Sequence, residues 1–225
     1  MKKWGILLIK VVILDFDGVI VESVEIKTQA FKDLFINYPN YLDEIMNYHI
    51  KNNAISRYVK FKYIYENILK KKYSKEVESK LGREFSNLVF KKVVNCPFVS
   101  GVTDFLNNFY KKIPLYIISA TPQAEINKII MARSLGKYFK GIFGSPPGNK
   151  IDFIKNILEY ENVKPGEALY IGDMIKDYKI AQKTGLNFIA RKNVENFDNL
   201  DVRQYSNFTD ISNWLKNKIT NQCIK

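Results

Sequence analysis

Residues 11–18 read VVILDFDG. The apolar, mostly β-branched run has no polar face, so it predicts a strand over 11–15 that is covered on both sides. Asp15 ends the run, Asp17 follows by one residue and Gly18 breaks the strand. On an extended backbone, residues two apart share a side. Two carboxylates therefore face one way at the end of a buried strand, which is costly unless they work together.

Runs of the same character recur at Leu115–Ser119 (LYIIS), Gly141–Phe143 (GIF) and Ala168–Gly172 (ALYIG), with Asn187–Ala190 (NFIA) as a fifth candidate. Each precedes a helical pattern that begins near Pro, Asn or Asp. Such alternation predicts a parallel α/β sheet. Helices are expected over 101–112, 122–134, 150–160, 174–184 and 209–218, with Gly136 and Gly185 as stop signals beyond two of them. Between Gly18 and Cys96 the pattern changes. Phe31, Leu34 and Phe35, then Tyr58, Phe61, Tyr65 and Leu69, fall at helical spacing, and no strand pattern is present. The expected architecture is a Rossmann-like core of residues 1–20 and 97–225 with an all-helical domain, residues 21–96, inserted after the first strand. Asn95–Gly101 (NCPFVSG) is the natural return linker.

A chain of 225 residues, 46% hydrophobic and 26% charged, has the composition of a folded protein with a packed core. Its two cysteines, Cys96 and Cys223, lie at no metal-ligand spacing, which excludes a disulfide framework and a zinc ribbon and suits a reducing compartment, the cytoplasm. Lys2 and Lys3 before Trp4–Ile9 imitate the start of a signal peptide, but Lys10 interrupts the run, and a buried strand fits better. No stretch reaches the roughly 18 apolar residues of a membrane span, so a soluble protein with no membrane partner is expected. The net charge is +12, and residues 51–100 hold twelve Lys or Arg against four Glu, which is +8 of it. A solvated helix face and a functional basic surface both account for that excess.

In an open parallel sheet, ligands sit beyond the carboxyl ends of the strands. Those positions hold Asp15, Asp17 and Gly18; Ser119, Ala120 and Thr121; a loop that reaches Lys150; and Asp173 and Asp177. Crowded carboxylates raise one another's pKa and call for a counter-charge. A hard divalent cation with oxygen ligands supplies it. Helix capping accounts for any one of these aspartates but poorly for the set.

DFDGVIVES at 15–23, ISAT at 118–121, Lys150 and GDMIKD at 172–177 together resemble the four-motif signature of the haloacid dehalogenase-like hydrolase superfamily. The helical insertion is similar to the cap of the subfamily that includes phosphoglycolate phosphatase and β-phosphoglucomutase. The resemblance implies that Asp15 is the nucleophile, forming an aspartyl-phosphate, and that Asp17 is the acid and base. It implies Mg²⁺ held by the Asp15 and Asp173 carboxylates and the Asp17 carbonyl. Ser119, Ala120 and nearby backbone N–H groups would bind the phosphoryl oxygens, with Lys150 adding positive charge. Asp177 would position Lys150 or a metal-bound water, and Gly18 and Gly172 would allow close backbone approach. Val19, Met174 and Ile151 depart from the residues common at those places in the family, and none removes a catalytic group. Asp17 disfavours dehalogenation, since dehalogenases that resemble this chain carry an aromatic residue there.

The implied activity is hydrolysis of a small phosphorylated metabolite, a sugar phosphate or phospho-acid, by a monomer or homodimer. A sugar phosphomutase would use the same residues. A basic nucleic-acid-binding protein on a hydrolase fold is the poorest alternative, because all six catalytic-type positions stay chemically competent. Gly144–Lys150 (GSPPGNK) is no nucleotide P-loop, since Asn149 separates Gly148 from Lys150 and Ile151 stands where Ser or Thr would be. A lone His49 in the insertion is expected to be a surface or packing residue. Arg57, Lys60 and Lys62 are expected to be exposed, beside Tyr58, Phe61 and Tyr65 packing between helices.

Overall fold

A computed structural model describes residues 8–52, 55–193 and 195–219. Its strands are β1 (Val11–Leu14), β2 (Leu115–Ser119), β3 (Gly141–Gly144), β4 (Ala168–Gly172), β5 (Asn187–Arg191) and β6 (Arg203–Tyr205). They form one sheet in the order β3-β2-β1-β4-β5-β6, with every neighbouring pair parallel. β1 is central, and all four of its residues are buried. Val12 and Leu14 pack into one apolar cluster with Ile117 and Ile171, whereas Val11 and Ile13 pack into another with Ile118 and Tyr170. The strand therefore has an apolar layer on each face, which is why its sequence does not alternate.

Around the sheet run α5 (Val102–Phe109), α6 (Gln123–Ala132), α7 (Lys150–Glu161), α8 (Ile175–Thr184) and α9 (Phe208–Lys216). Two are shorter than the sequence pattern suggests by three residues or more. α6 stops at Ala132 because Ser134 takes a left-handed φ of 55° and the Leu135 N–H turns back to the Ile130 carbonyl. α5 gives way after Phe109 to a turn closed by Lys112 N–H on the Phe109 carbonyl. β6 was not expected. Arg203 and Gln204 are polar and leave Tyr205 too short a signal to read as a strand, which forms through register with Ile189–Arg191.

The insertion contains α1 (Val24–Leu34), α2 (Leu42–Lys51), α3 (Arg57–Tyr63) and α4 (Lys75–Asn95), α3 running on into a π-helical turn at Ile64–Ile68. Its core is aromatic: Phe31 lies 5.5 Å from Phe61 and 5.1 Å from Phe85, ring centre to ring centre. The chain leaves the sheet and returns along paired segments, with Glu22 N–H on the Pro97 carbonyl and Val99 N–H on the Ile20 carbonyl. The architecture is thus a Rossmann-like α/β core carrying a helical cap. No helix among the described residues is long and apolar enough to cross a membrane. Cys96 is buried with a free thiol, while Lys2, Lys3, most of the Trp4–Ile9 run and Cys223 lie outside the described residues.

Candidate active site

The carboxyl ends of β1, β2 and β4 and the start of α7 close on one cavity, which Asp15, Asp17, Ala120, Lys150 and Asp173 line. Inserted helices form its other wall. Asp15 accepts the Phe16 N–H at 2.7 Å and the Lys150 Nζ at 2.6 Å. Burial pushes its carboxyl up to about 6 even against the pull of Lys150, with Asp177 and Asp17 adding to the rise.

Lys150 is the first residue of α7, whose start is capped by the Asn149 side chain on the Ile151 and Asp152 N–H groups. Its ammonium donates to Asp15, to Asp177 at 2.8 Å and to the Tyr170 hydroxyl at 3.0 Å. Burial works against its charge, but the Asp15 and Asp177 carboxylates outweigh burial and raise its pKa. Asp177 caps α8 through the Met174 N–H at 3.3 Å and also accepts Tyr170 Oη at 2.6 Å. Capping and positioning of Lys150 are therefore done by one carboxylate. Tyr170 escaped sequence reading because it sits inside an apolar strand run.

Asp173 is 1% exposed, and its side-chain hydrogen bond comes from Asn193 Nδ2 at 3.4 Å. Burial, then Asp15 and Asp177, push its carboxyl well above the ordinary range. Carboxylate oxygens of Asp15, Asp173 and Asp177 lie within 4.8 Å of one another. Lys150 and Tyr170 satisfy Asp177, whereas Asp173 has no cationic partner among the described residues. A hard cation at the Asp15–Asp173 side fits that donor set. The glycines make room for the acids: a Cβ on Gly18, at φ 73°, would fall 2.0 Å from Asp173 Oδ2, and one on Gly172 would fall 2.5 Å from the Asp177 Cβ.

Asp17 shares the cavity but not the Lys150 network. It accepts Ser23 Oγ at 2.6 Å, Thr121 Oγ1 at 3.1 Å and the Lys27 ammonium, which also donates to Thr121 Oγ1 at 2.8 Å. Burial alone would raise its carboxyl, but Lys27 and the three hydrogen bonds hold it below the usual range. Two aspartates two residues apart are thus shifted in opposite directions. Lys27 is a functional candidate that the sequence reading did not assign, and Thr121, which it placed beyond a strand end without a role, gains one here. The Ser119 hydroxyl is fully buried, accepts the Thr121 N–H at 3.0 Å and is not among the cavity-lining groups; Ala120 is.

The cap wall overturns two expectations. Arg57 and Lys60 are 5% and 4% exposed, against the solvated positions expected for them, while Lys62 is exposed. Arg57 reaches the core, with Nη2 at 2.7 Å and Nη1 at 2.9 Å from the two Glu125 carboxylate oxygens. His49 is 2% exposed, stacks on Phe31 and also lines the cavity.

The profile of a family described as haloacid dehalogenase-like hydrolase matches residues 12–191, which is most of the chain and includes all four motifs. The chain belongs to the haloacid dehalogenase-like hydrolase family. No curated protein sequence matches it. Among solved structures, this haloacid dehalogenase-like hydrolase is similar to a predicted phosphoglycolate phosphatase from Haemophilus somnus 129pt, with 14% identity over 94% of this chain and 100% of that one and a TM-score of 0.74. It is similar to the β-phosphoglucomutase of Clostridium difficile, with 18% identity, 94% and 97% coverage and a TM-score of 0.72. It is also similar to YfnB of Bacillus subtilis, assigned as a HAD hydrolase and bound to magnesium, with 15% identity, 93% and 99% coverage and a TM-score of 0.69.

Proposed function

We propose that this hydrolase is a Mg²⁺-dependent phosphatase that cleaves a small phosphorylated metabolite, a sugar phosphate or phospho-acid, through an aspartyl-phosphate at Asp15, with residues 21–96 acting as the cap. The observation that carries the proposal is the meeting of Asp15, Asp17, Lys150 and Asp173 in one cavity at the carboxyl ends of the strands. A carboxylate oxygen of Asp15 attacks phosphorus and the ester P–O bond breaks. Asp17 passes a proton to the departing oxygen, and Lys27 with Thr121 stabilises the carboxylate left behind. Asp17 then takes a proton from the water that splits the acyl phosphate. Lys150 screens charge on the phosphoryl oxygens while Asp177 and Tyr170 hold its ammonium in place. Held by the Asp15 and Asp173 carboxylates and the Asp17 carbonyl, Mg²⁺ would offset repulsion between the anionic nucleophile and the anionic ester. Ala120 and the N-terminal N–H groups of α6 are the proposed phosphoryl cradle, with Ser119 shaping it through Thr121.

The test is phosphate release from a panel of sugar phosphates, phosphorylated acids and nucleotides, each with Mg²⁺ and with chelator. Release that depends on metal and drops by roughly a thousandfold or more in Asp15→Asn supports the proposal; undiminished release in that variant refutes it. The likeness to β-phosphoglucomutase supports a second reading, in which the phosphoryl group returns to a sugar hydroxyl. Dependence on a bisphosphate activator would identify it.

A further inference from the structure

Four cationic side chains line the cavity: Lys27, Arg57, Lys60 and Lys150. Three are paired with carboxylates, Lys27 with Asp17, Arg57 with Glu125 and Lys150 with Asp15 and Asp177. Lys60 has no carboxylate partner among the described residues. Its Nζ lies 3.1 Å from His49 Nδ1 and 4.6 Å from the centre of the Phe31 ring. An ammonium donates three hydrogen bonds, so one goes to the imidazole and two are left over.

His49 completes the feature. Because Nδ1 accepts from Lys60, the ring proton belongs on Nε2, and that buried donor has no partner. Burial, with Lys60 and Lys27 nearby, keeps the ring neutral, its pKa pulled down to about 3. Burying an unpaired ammonium and an unpaired N–H is expensive unless something arrives to use them. An apolar side chain at position 60 would fill the same space at no such cost. Lys51, Lys62 and Lys70–Lys72, also on the insertion, are exposed instead.

We propose that Lys60 and His49 form an anion subsite that receives a second acidic group, a carboxylate or a phosphate, carried on the leaving group of the ester. The proposal rests on the phosphatase reading for the position of the first group, beside Asp15 and Lys150. It narrows the substrate to a small phosphate ester with an anionic tail and disfavours neutral sugar monophosphates. The shared cavity connects the two ends, with Asp15, Lys150 and Asp173 at the sheet and Lys60 and His49 on the cap. Because the tail would be gripped from the cap and the phosphoryl group from the core, one ligand would hold the two parts together.

The test uses three inert phosphonates with Mg²⁺ present: 3-phosphonopropionate, with a carboxylate tail; ethane-1,2-bisphosphonate, with a phosphonate tail; and propylphosphonate, with a neutral tail. Binding is read by calorimetry and by the imidazole ¹⁵N resonances of His49, which need no assignment because the chain has a single His. The subsite predicts that at least one anionic-tailed ligand binds roughly tenfold or more tightly than propylphosphonate and shifts the His49 resonances. Lys60→Met, its fold checked by circular dichroism, should bring all three affinities within about threefold of one another. His49→Gln, a second variant, should weaken the preference to a lesser degree. The relative strength of the two anionic ligands says whether the tail is a carboxylate or a phosphate. Equal binding of all three to the native protein, or a preference that survives Lys60→Met, overturns the subsite and leaves the phosphatase reading intact. Failure of all three to bind overturns both.

Discussion

Arg57 on the cap and Glu125 on the core form a two-pronged ion pair, with Nη2–Oε1 at 2.7 Å and Nη1–Oε2 at 2.9 Å, both side chains being nearly inaccessible. Ser86 of α4 ties into the same pair from the cap side. Burial works against the Glu125 charge, but Arg57 and Ser86 outweigh it and keep the carboxyl below its ordinary range. Removing one partner leaves the other buried and uncompensated, at about 3–5 kcal/mol. Arg57→Met should therefore lower the unfolding midpoint, and the double variant Arg57→Met/Glu125→Leu should recover much of the loss. Denaturant unfolding of the three proteins checks this.

Gly18 is bound to its position by the close approach of Asp173. In Gly18→Ala the new methyl group and the Asp173 carboxylate cannot both keep their places, and φ of 73° is itself unfavourable for alanine. Metal affinity should fall by roughly tenfold or more, with the fold retained and its stability reduced by about 1–3 kcal/mol. Calorimetric titration with Mg²⁺ measures the first, and denaturant unfolding the second.

The carboxyl groups set a pH dependence with a definite sign. Asp15 is raised to about 6, and burial with Asp15 and Asp177 nearby raises Asp173 well above the ordinary range, so the metal-free protein holds protons there that the unfolded chain would already have released. Their contribution to metal-free stability is fully present below the ordinary carboxyl range. It is lost as pH rises through the folded values, for Asp15 near 6. Cation binding requires the deprotonated forms, so it should release protons at neutral pH and weaken as pH falls through that region. The rise in melting temperature caused by Mg²⁺ should be small near about pH 5 and larger near about pH 7.5. A rise independent of pH would contradict the assignment of these two residues as ligands.

Lys60 should cost stability. Burial, with Lys27, Arg57 and Lys176 around it, draws its ammonium down to about 7, so the unfolded chain binds its proton more tightly than the folded one. Stability should rise with pH from about 7 toward the ordinary lysine range on its account. Lys60→Met should remove that dependence and raise the melting temperature by a few degrees near neutral pH. Binding of an anionic-tailed ligand by the native protein should weaken above about pH 7, where the charged form of Lys60 is depleted. His49 on α2, Lys27 on α1, Arg57 on α3 and Lys176 on α8 are the charged or titratable neighbours that shape this titration.

The parts of the site that could be read from the sequence are those fixed by short-range pattern. Asp15 and Asp17 follow an apolar run, Asp173 and Asp177 follow another, and the parallel sheet carries both runs to one edge. Lys27, Tyr170 and the pairing of Thr121 with Asp17 were not legible because they depend on approach in space: Thr121 meets Asp17 across 104 positions of sequence, and Lys27 is one of 35 cationic side chains. Lys60 was misjudged for a related reason. Ten of the twelve cations in residues 51–100 are exposed, so a solvated face describes the stretch well and fails at Arg57 and Lys60, which turn inward beside Phe85 and Phe31. β6 was missed because it exists by edge pairing with β5 rather than by propensity.

The covalent role of Asp15 is the most direct target. The protein is mixed with a hydrolysable ester and Mg²⁺, quenched in acid within the turnover time, and its peptides are examined by mass spectrometry after borohydride reduction of any acyl phosphate. The account predicts that Asp15 is converted to homoserine and that Asp17 and Asp173 are not. Phosphate release at full rate with no reduction at Asp15, or with reduction at another residue, would contradict it.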